Sequence, residues 1–479
     1  MNKIKIHTQF QKISADILTP VNLFLKIRDR YTHPLLLESS DNHAAQNNYS
    51  YICFDPLSTF SAKDGVFKIN DIPQNNVFNL DEAMQAFISR FETEPMEFPF
   101  LHHGLFGYTG YNAIPYNEQI EFDRNKNIEN IPDVFYAVYR YVLVFNHYYD
   151  ELYVFCNDMD ASSIQPNLHN IINLIENKTI TQHSFNKIND EEQEITDNDF
   201  KELVTKAKKH TQRGDVFQIV LSRKFKQAFH GDEFNVYRAL RHVNPSPYLF
   251  YFDYGSFKLF GSSPESQLII NKNIAIVHPI AGTVKRTGND SLDMILAEKL
   301  KKDPKENAEH VMLVDLARND MSKHCTNVSL NYYKELHFYS HVIHMVSEIK
   351  GTLKNDCSPY KVLLDSFPAG TLSGAPKHKA MQLINQYEIS ARSFYGGCIG
   401  MIGFDGSLHH AILIRSFLSK GNYLNYQAGA GIVSSSQEEN ELQEINNKIN
   451  ALRQAIQFAN KPTNLITSNN NLHEEITGT

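Results

Sequence analysis

The sequence predicts a mixed α+β protein, and three features predict it. Runs rich in Val, Tyr and Phe, such as "PLLLESS" and "FYAVYRYVLVFNHYYDELYVFC", read as strands. Segments with apolar residues at helical spacing, such as "DFKELVTKAKKHTQRGD", read as amphipathic helices. A polar, acidic stretch, "NKINDEEQEITDNDF", lacks apolar periodicity and reads as a linker between two parts. At about 150 residues per domain, 479 residues hold two or three. The expected organisation is an N-terminal domain over 1–185, a second domain over 186–460, and a disordered Asn/Thr-rich tail over 461–479.

Composition excludes several classes. The chain is 42% hydrophobic and 21% charged, ordinary for a globular protein. A net charge of −8 argues against nucleic acid or an anionic membrane as partner. No apolar run reaches the roughly 18 residues of a membrane-spanning helix, and "MNKIKIHTQFQKIS" has no apolar block of the secretory kind. Five scattered cysteines, without a CxxC or Cys/His cluster, fit reduced thiols and a cytoplasmic location, with no zinc site.

After the linker, Thr196 or Asp197 caps a helix that ends at Gly214, and "VFQIVLSRKFKQAF" follows as a strand. "GSSPESQLII" places Glu265 in a turn that runs into a strand. In "HPIAGTVKRTG", Gly282 and Thr283 end a strand, where backbone N–H groups can hold an anion. "SLDMILAEKLKKDPKENAEHVMLVDLARND" reads as two helices broken at Asp303-Pro304, the second carrying Glu306 and Glu309 at the head of an apolar face. "FYSHVIHMVSEIKGTL" is a strand with Val342, His344 and Val346 on one side. In "DSFPAGTLSGAPKHKAM", Gly370, Thr371, Ser373 and Gly374 form a small-residue loop, and Ala375-Pro376 opens a helix whose N-terminus has anion-binding composition.

"FYGGCIGMIGFDGSLHHAILIRSF" is a hairpin through Asp405-Gly406, with Tyr395 before it and Arg415 after it. An arginine inside an apolar strand needs an anion nearby. Finally, "YQAGAGIVSSSQEENELQEINNKINALRQAI" offers Gly429, Ala430 and Gly431 as open backbone and Ser436 with Glu439 as a capping box. It also sets Glu441, Glu444 and Lys448 on one helix face. Each segment has a plain structural reading when taken singly: turns, a satisfied histidine, or a surface ion pair worth about 0.3 kcal/mol. Taken together, three carboxylates, an arginine and small-residue loops describe a site for a small polyanion held by a hard cation such as Mg²⁺.

In order and spacing these segments resemble the chorismate-utilising enzymes, above all the large (component I) subunits of anthranilate synthases. "PIAGT", "AEHVMLVDLARND", "YSHVIHMVSEIKG", "FPAGTLSGAPK", "YGG" and "AGAGIV" with its E-x-x-E-x-x-x-K helix carry the likeness, over about residues 30 to 458. The resemblance implies antiparallel sheets packed as a sandwich with flanking helices. It also implies a lyase that turns chorismate and ammonia into anthranilate and pyruvate. Mg²⁺ would be bound by Glu309 and Glu444, with Glu441 close by. The Gly282-Thr283 backbone would help hold the substrate, whose enolpyruvyl carboxylate would meet Tyr395, Arg415 and Gly429-Ala430-Gly431. Lys448 would complete the charge balance. Glu265 matches the family's general acid, His344 the histidine of pyruvate elimination, and Thr371 lines the pocket.

Two positions sort the subfamilies under this resemblance. Gln218 stands where isochorismate and salicylate synthases carry a lysine that activates water. Ala281 stands where many aminodeoxychorismate synthases carry a nucleophilic lysine. Both favour ammonia and anthranilate. "LLLESS" and "NPSPYLFYF" resemble segments that bind the feedback inhibitor L-tryptophan, with Glu38 and Ser39 on the amino group and Pro247, Tyr248 and Leu249 along its side. That would make 1–185 a regulatory domain and 186–460 the catalytic one. No glutaminase segment follows the catalytic region, so ammonia from glutamine would need a separate amidotransferase subunit in a hetero-oligomer. Three alternatives stay open: an aminodeoxychorismate synthase, a catalytically silent tryptophan-binding regulator, and a structural scaffold without a site.

Overall fold

The computed structural model describes residues 3–39, 48–74, 79–176, 179–339 and 342–460. The tail expected to be disordered, 461–479, lies outside them. The described chain is mixed helix and antiparallel strand, 33% and 39% respectively. Among the described pairings one is parallel, Ile4–Ser14 with Phe91–Thr93.

Two antiparallel ladders share the strands Tyr49–Lys63 and Val134–Asn146, which pair along most of their length. From the C-terminal half of Val134–Asn146, one ladder runs through Glu151–Asp158 to Ile4–Ser14. On the other side, Tyr49–Lys63 leads through Leu35–Glu38, Tyr248–Asp253, Lys258–Ser263, Ser416–Lys420, Tyr423–Ile432 and Gln218–Gly231 to Phe185–Gln193. The second ladder leaves the N-terminal half of Val134–Asn146. It passes through Gly104–Thr109, Cys398–Gly403, Leu408–Ile412, Ser266–Asn271 and Ile274–Val277 to Val342–Leu353 and Cys325–Phe338. Phe250, Phe252 and Leu418 of the first ladder pack with Phe106, Tyr108 and Ile399 of the second in one buried cluster. This is the expected sandwich, and burying both inner faces is what holds it together. A larger cluster lies under the helices.

Strands from either side of residue 185 pair directly: Leu35–Glu38 with Tyr248–Asp253, and Gly104–Thr109 with Cys398–Gly403. The linker reading is corrected here. Phe185–Gln193 is an edge strand on Gln218–Gly231, and its mostly exposed side chains explain its polar composition.

The local signals resolve as follows. Thr196 and Asp199 form a reciprocal capping box, and Gly214 closes that helix at φ 81°. Asp303 caps the second helix of its pair, Pro304–His324, with Pro304 in the first turn. The Asp405-Gly406 hairpin joins Cys398–Gly403 to Leu408–Ile412. Four local expectations are corrected. The long C-terminal helix, Glu438–Ala459, is capped by Gln437 with no side-chain bond, while Ser436 Oγ accepts from Val433 N–H at 3.0 Å. Gly370–Ser373 is a single helical turn rather than a loop. Gly282 and Thr283 lie inside the strand Ile280–Lys285, at a register shift against Val342–Leu353. Arg415 stands just before its strand, at φ 47°, not within it. No helix among the described residues is long and apolar enough to cross a membrane.

Candidate active site

Gln218, Glu309, Glu444, Lys448 and the Gly429–Gly431 backbone gather where Gln218–Gly231 and Tyr423–Ile432 run side by side, near the helices Pro304–His324 and Glu438–Ala459. The Gln218 side chain donates to Glu309 at 3.1 Å, and its own amide oxygen is buried without a hydrogen-bond partner. Gly431 lies under that amide: a Cβ there would stand 2.4 Å from Gln218 Nε2. Lys448 donates to the Gly429 carbonyl at 2.8 Å and pairs with Glu444 at 2.7 Å. Glu441, Glu444 and Lys448 thus share one face, and Lys448 ties that helix to the Gly429-Ala430-Gly431 strand. Ala430 is fully buried, and the Tyr395 hydroxyl meets the Gly429 backbone.

Glu265 sits between two strands, and its carboxylate accepts from Thr371 Oγ1 at 3.2 Å. Burial pushes its carboxyl up to about 7, against the pull of the Thr371 hydrogen bond and the charges of Lys448 and Arg415. Near neutral pH this group can therefore still hold a proton. Arg415 reaches Asn244 Oδ1 at 3.1 Å. Burial lowers its pKa and Glu265 raises it, with a net downward shift.

His344 and Thr283 are direct partners across neighbouring strands, with Nδ1 and Oγ1 2.9 Å apart. Burial, then the positive charge of Arg415, push the imidazole down to about 4, so it is neutral at physiological pH. Gly282 has φ 76°, and a Cβ there would meet Leu300 Cδ1 at 2.6 Å and Glu306 Oε2 at 3.1 Å. The positive φ favours glycine here, and any larger residue would also push the Leu300 side chain aside.

The acidic side chains come from two helix starts. Burial raises Glu306, and Glu309 and Glu444 raise it further. Burial raises Glu441, opposed by a hydrogen bond from Ser436 and reinforced by Glu444. One Glu441 oxygen is buried without a hydrogen-bond partner. As they stand, no three such side chains among the described residues converge on one point to chelate a metal. Yet mutually repelling carboxylates, one with an orphaned oxygen, form a donor set that suits a hard cation with oxygen ligands and retained waters. Glu306 belongs to this group. Its place one helical turn before Glu309 was the signal for it.

The second candidate region lies on the first ladder. Glu38 and Leu249 are opposite each other, so Glu38, Ser39 and Pro247–Leu249 form one patch. Glu38 is buried, accepts the Tyr237 hydroxyl at 2.8 Å and pairs with Arg241 at 2.9 Å. Burial raises its carboxyl, and Arg241 and Tyr237 oppose the shift. Tyr248 meets His409 edge-on at 5.3 Å.

Sequence reasoning missed Asn244, the partner of Arg415, and the buried pair Arg392–Glu388. A signal for the latter existed: Glu388 and Arg392 stand four apart in "YEISARSFYGG", beside Tyr395.

An acid held near neutrality, a neutral imidazole, a half-buried arginine and facing carboxylates define an enzyme site for a small, multiply charged substrate. The chain belongs to the family of chorismate binding enzymes, which matches residues 33–454. It is similar to the anthranilate synthase component 1 of Aquifex aeolicus, 33% identical over 96% of this chain and 95% of that one. It is also similar to that of Neisseria meningitidis serogroup C, 36% identical over 94% of each. The crystal structure of anthranilate synthase component I from Streptococcus pneumoniae matches with a TM-score of 0.77 and 28% identity, over 92% of this chain and 99% of that one. The menaquinone-specific isochorismate synthase of Escherichia coli shares the fold, with a TM-score of 0.74 at 18% identity, over 95% of this chain and 96% of that one.

Proposed function

We propose that this chain is the chorismate-converting component of an anthranilate synthase. The observation that carries the reading is the placement of Glu265, hydrogen-bonded by Thr371, and His344, bonded to Thr283, where both feel Arg415; burial holds the first near 7 and keeps the second neutral. The reaction needs both. Ammonia forms a bond to ring carbon 2 as the 4-hydroxyl leaves, and hydroxide leaves only if an acid protonates it; Glu265 supplies that proton. In the second half the C2 proton is removed, the bond from ring carbon 3 to the enolpyruvyl oxygen breaks, the ring becomes aromatic, and the departing enolpyruvate takes a proton on its methylene carbon to become pyruvate. A neutral imidazole at His344 can take that proton, which an imidazolium cannot.

Gln218 is a neutral amide fixed on Glu309, so it cannot deprotonate water, and this supports ammonia as the nucleophile. Tyr395, Arg415 and the Gly429–Gly431 backbone bind the enolpyruvyl carboxylate, and Gly282-Thr283 orients the ring. Mg²⁺, held by Glu309 and Glu444 with Glu441 beside them, would neutralise the ring carboxylate. Ammonia would come from glutamine through a separate amidotransferase subunit; the component 1 naming of the relatives supports a second component. L-tryptophan would bind at Glu38, Ser39 and Pro247–Leu249 and inhibit.

The test is a product assay. Chorismate, ammonium and Mg²⁺ should yield anthranilate, read by its fluorescence. Isochorismate as the main product would overturn the reading.

A further inference from the structure

Arg392 is buried, and four of its hydrogen bonds are satisfied by groups far apart in sequence. Nε and Nη2 fork onto the Glu388 carboxylate at 2.8 and 2.6 Å. Nη1 donates to the Leu372 carbonyl at 2.6 Å, and Nη2 to the Val220 carbonyl at 2.7 Å. The guanidinium also lies 4.8 Å from the Tyr111 ring and 5.7 Å from the Tyr395 ring. Glu388 is held in turn by the Ser222 N–H at 2.9 Å and hydroxyl at 2.6 Å.

Apart from the Tyr111 ring, these contacts lead to site residues. Leu372 follows Thr371, which donates to Glu265. Val220 lies two residues from Gln218 and pairs with Gly431, and Ser222 pairs with Gly429. Leu372 and Tyr395 pack together in a small apolar cluster of their own. A buried ion pair adds little net stability, because desolvating both charges offsets their attraction. It does supply direction. A planar fork meets one carboxylate and two carbonyls in a single orientation, which lysine cannot copy.

We propose that Arg392 is a positioning residue of this site, clamping Tyr395, the Thr371 turn and the Gln218 strand into one unit. Glu388 orients the clamp. The cation against the Tyr395 ring also polarises its hydroxyl toward donation. The inference rests on the reading above, in which Tyr395 grips a substrate carboxylate.

The experiment compares wild type, Arg392→Lys, Tyr395→Phe and the double variant for kcat and for KM of chorismate, with ammonium and Mg²⁺. Arg392→Lys should raise KM about tenfold, between the sizes of an exposed and a desolvated cation–π contact, and lower kcat as well. The double variant should have close to the KM of Tyr395→Phe, because the arginine acts on KM mainly by placing the Tyr395 hydroxyl. KM effects that multiply, or an Arg392→Lys enzyme with unchanged KM and only a lower Tm, would overturn the proposal. Should Arg392→Lys fail to fold, Ser222→Ala loosens Glu388 more gently. It should raise KM in the same direction, and an unchanged KM overturns the proposal there too. Wild type separates the two readings. If it makes no anthranilate the functional reading fails first, and calorimetric binding of chorismate to the same four proteins then decides the role of Arg392.

Discussion

Replacing Glu265 with Gln should make the enzyme slower and, at alkaline pH, more stable. The carboxyl is held near 7 instead of the ordinary 4.5, so ionising it inside the fold costs about 3 kcal/mol, less where cavity water screens it. Below 4.5 the group is protonated in both folded and unfolded chains and costs nothing. Between 4.5 and 7 the unfolded chain releases the proton while the folded one keeps it, so stability falls as pH rises, levelling off above 7. Glutamine has the same shape and never ionises. In urea unfolding the variant should therefore match wild type near pH 4.5 and exceed it by about 1–3 kcal/mol at pH 8.5. As the acid for the departing hydroxyl, Glu265 should contribute about 10²–10⁴-fold to kcat. Wild-type kcat/KM should decline above about pH 7, where the free carboxyl loses its proton. The two carboxylates of bound chorismate should shift the decline in kcat to higher pH. The variant's residual rate should lack this alkaline limb. A wild-type profile flat to pH 9, or a variant whose stability relative to wild type does not change with pH, would refute the reasoning.

Glu309→Gln or Glu444→Gln should lower activity by orders of magnitude, as should excess chelator on wild type; full activity in either case removes these residues from a metal site. His344→Ala should still aminate chorismate but accumulate an amino intermediate that keeps its enolpyruvyl group, visible by mass spectrometry. Complete loss of chorismate consumption would place His344 earlier in the sequence. Ser39→Phe should turn over normally while losing inhibition by L-tryptophan, because the added ring fills the patch beside Leu249. The chain has no tryptophan of its own, so indole fluorescence reports the ligand alone. Absence of binding to wild type would end the regulatory reading and leave the catalytic one standing.

The sequence by itself determined the features that a few neighbouring residues decide. The Thr196 cap, the Gly214 stop, the Asp303-Pro304 break and the Asp405-Gly406 hairpin each depend on bonds spanning two to five residues. For the same reason the common face of Glu441, Glu444 and Lys448 was legible, since helical spacing alone sets it. The motifs also identified the family, and with it the residues that converge.

Only the tertiary structure decided the rest. Phe185–Gln193 looks like a linker because an edge strand can leave most of its side chains in water; its partner, Gln218–Gly231, makes it a strand. The cap predicted at Ser436 moved to Gln437, and Arg415 left its strand for a left-handed turn, because packing overrides weak local preference. The acidity of Glu265 and the neutrality of His344 are written in no local pattern. Burial raises Glu265 against the opposing pull of Thr371, Lys448 and Arg415, and burial with the charge of Arg415 keeps His344 neutral; these partners lie about 70 to 180 residues away in the chain. The Arg392 clamp has the same origin: its carbonyl partners belong to strands and turns that only the completed fold brings within 3 Å.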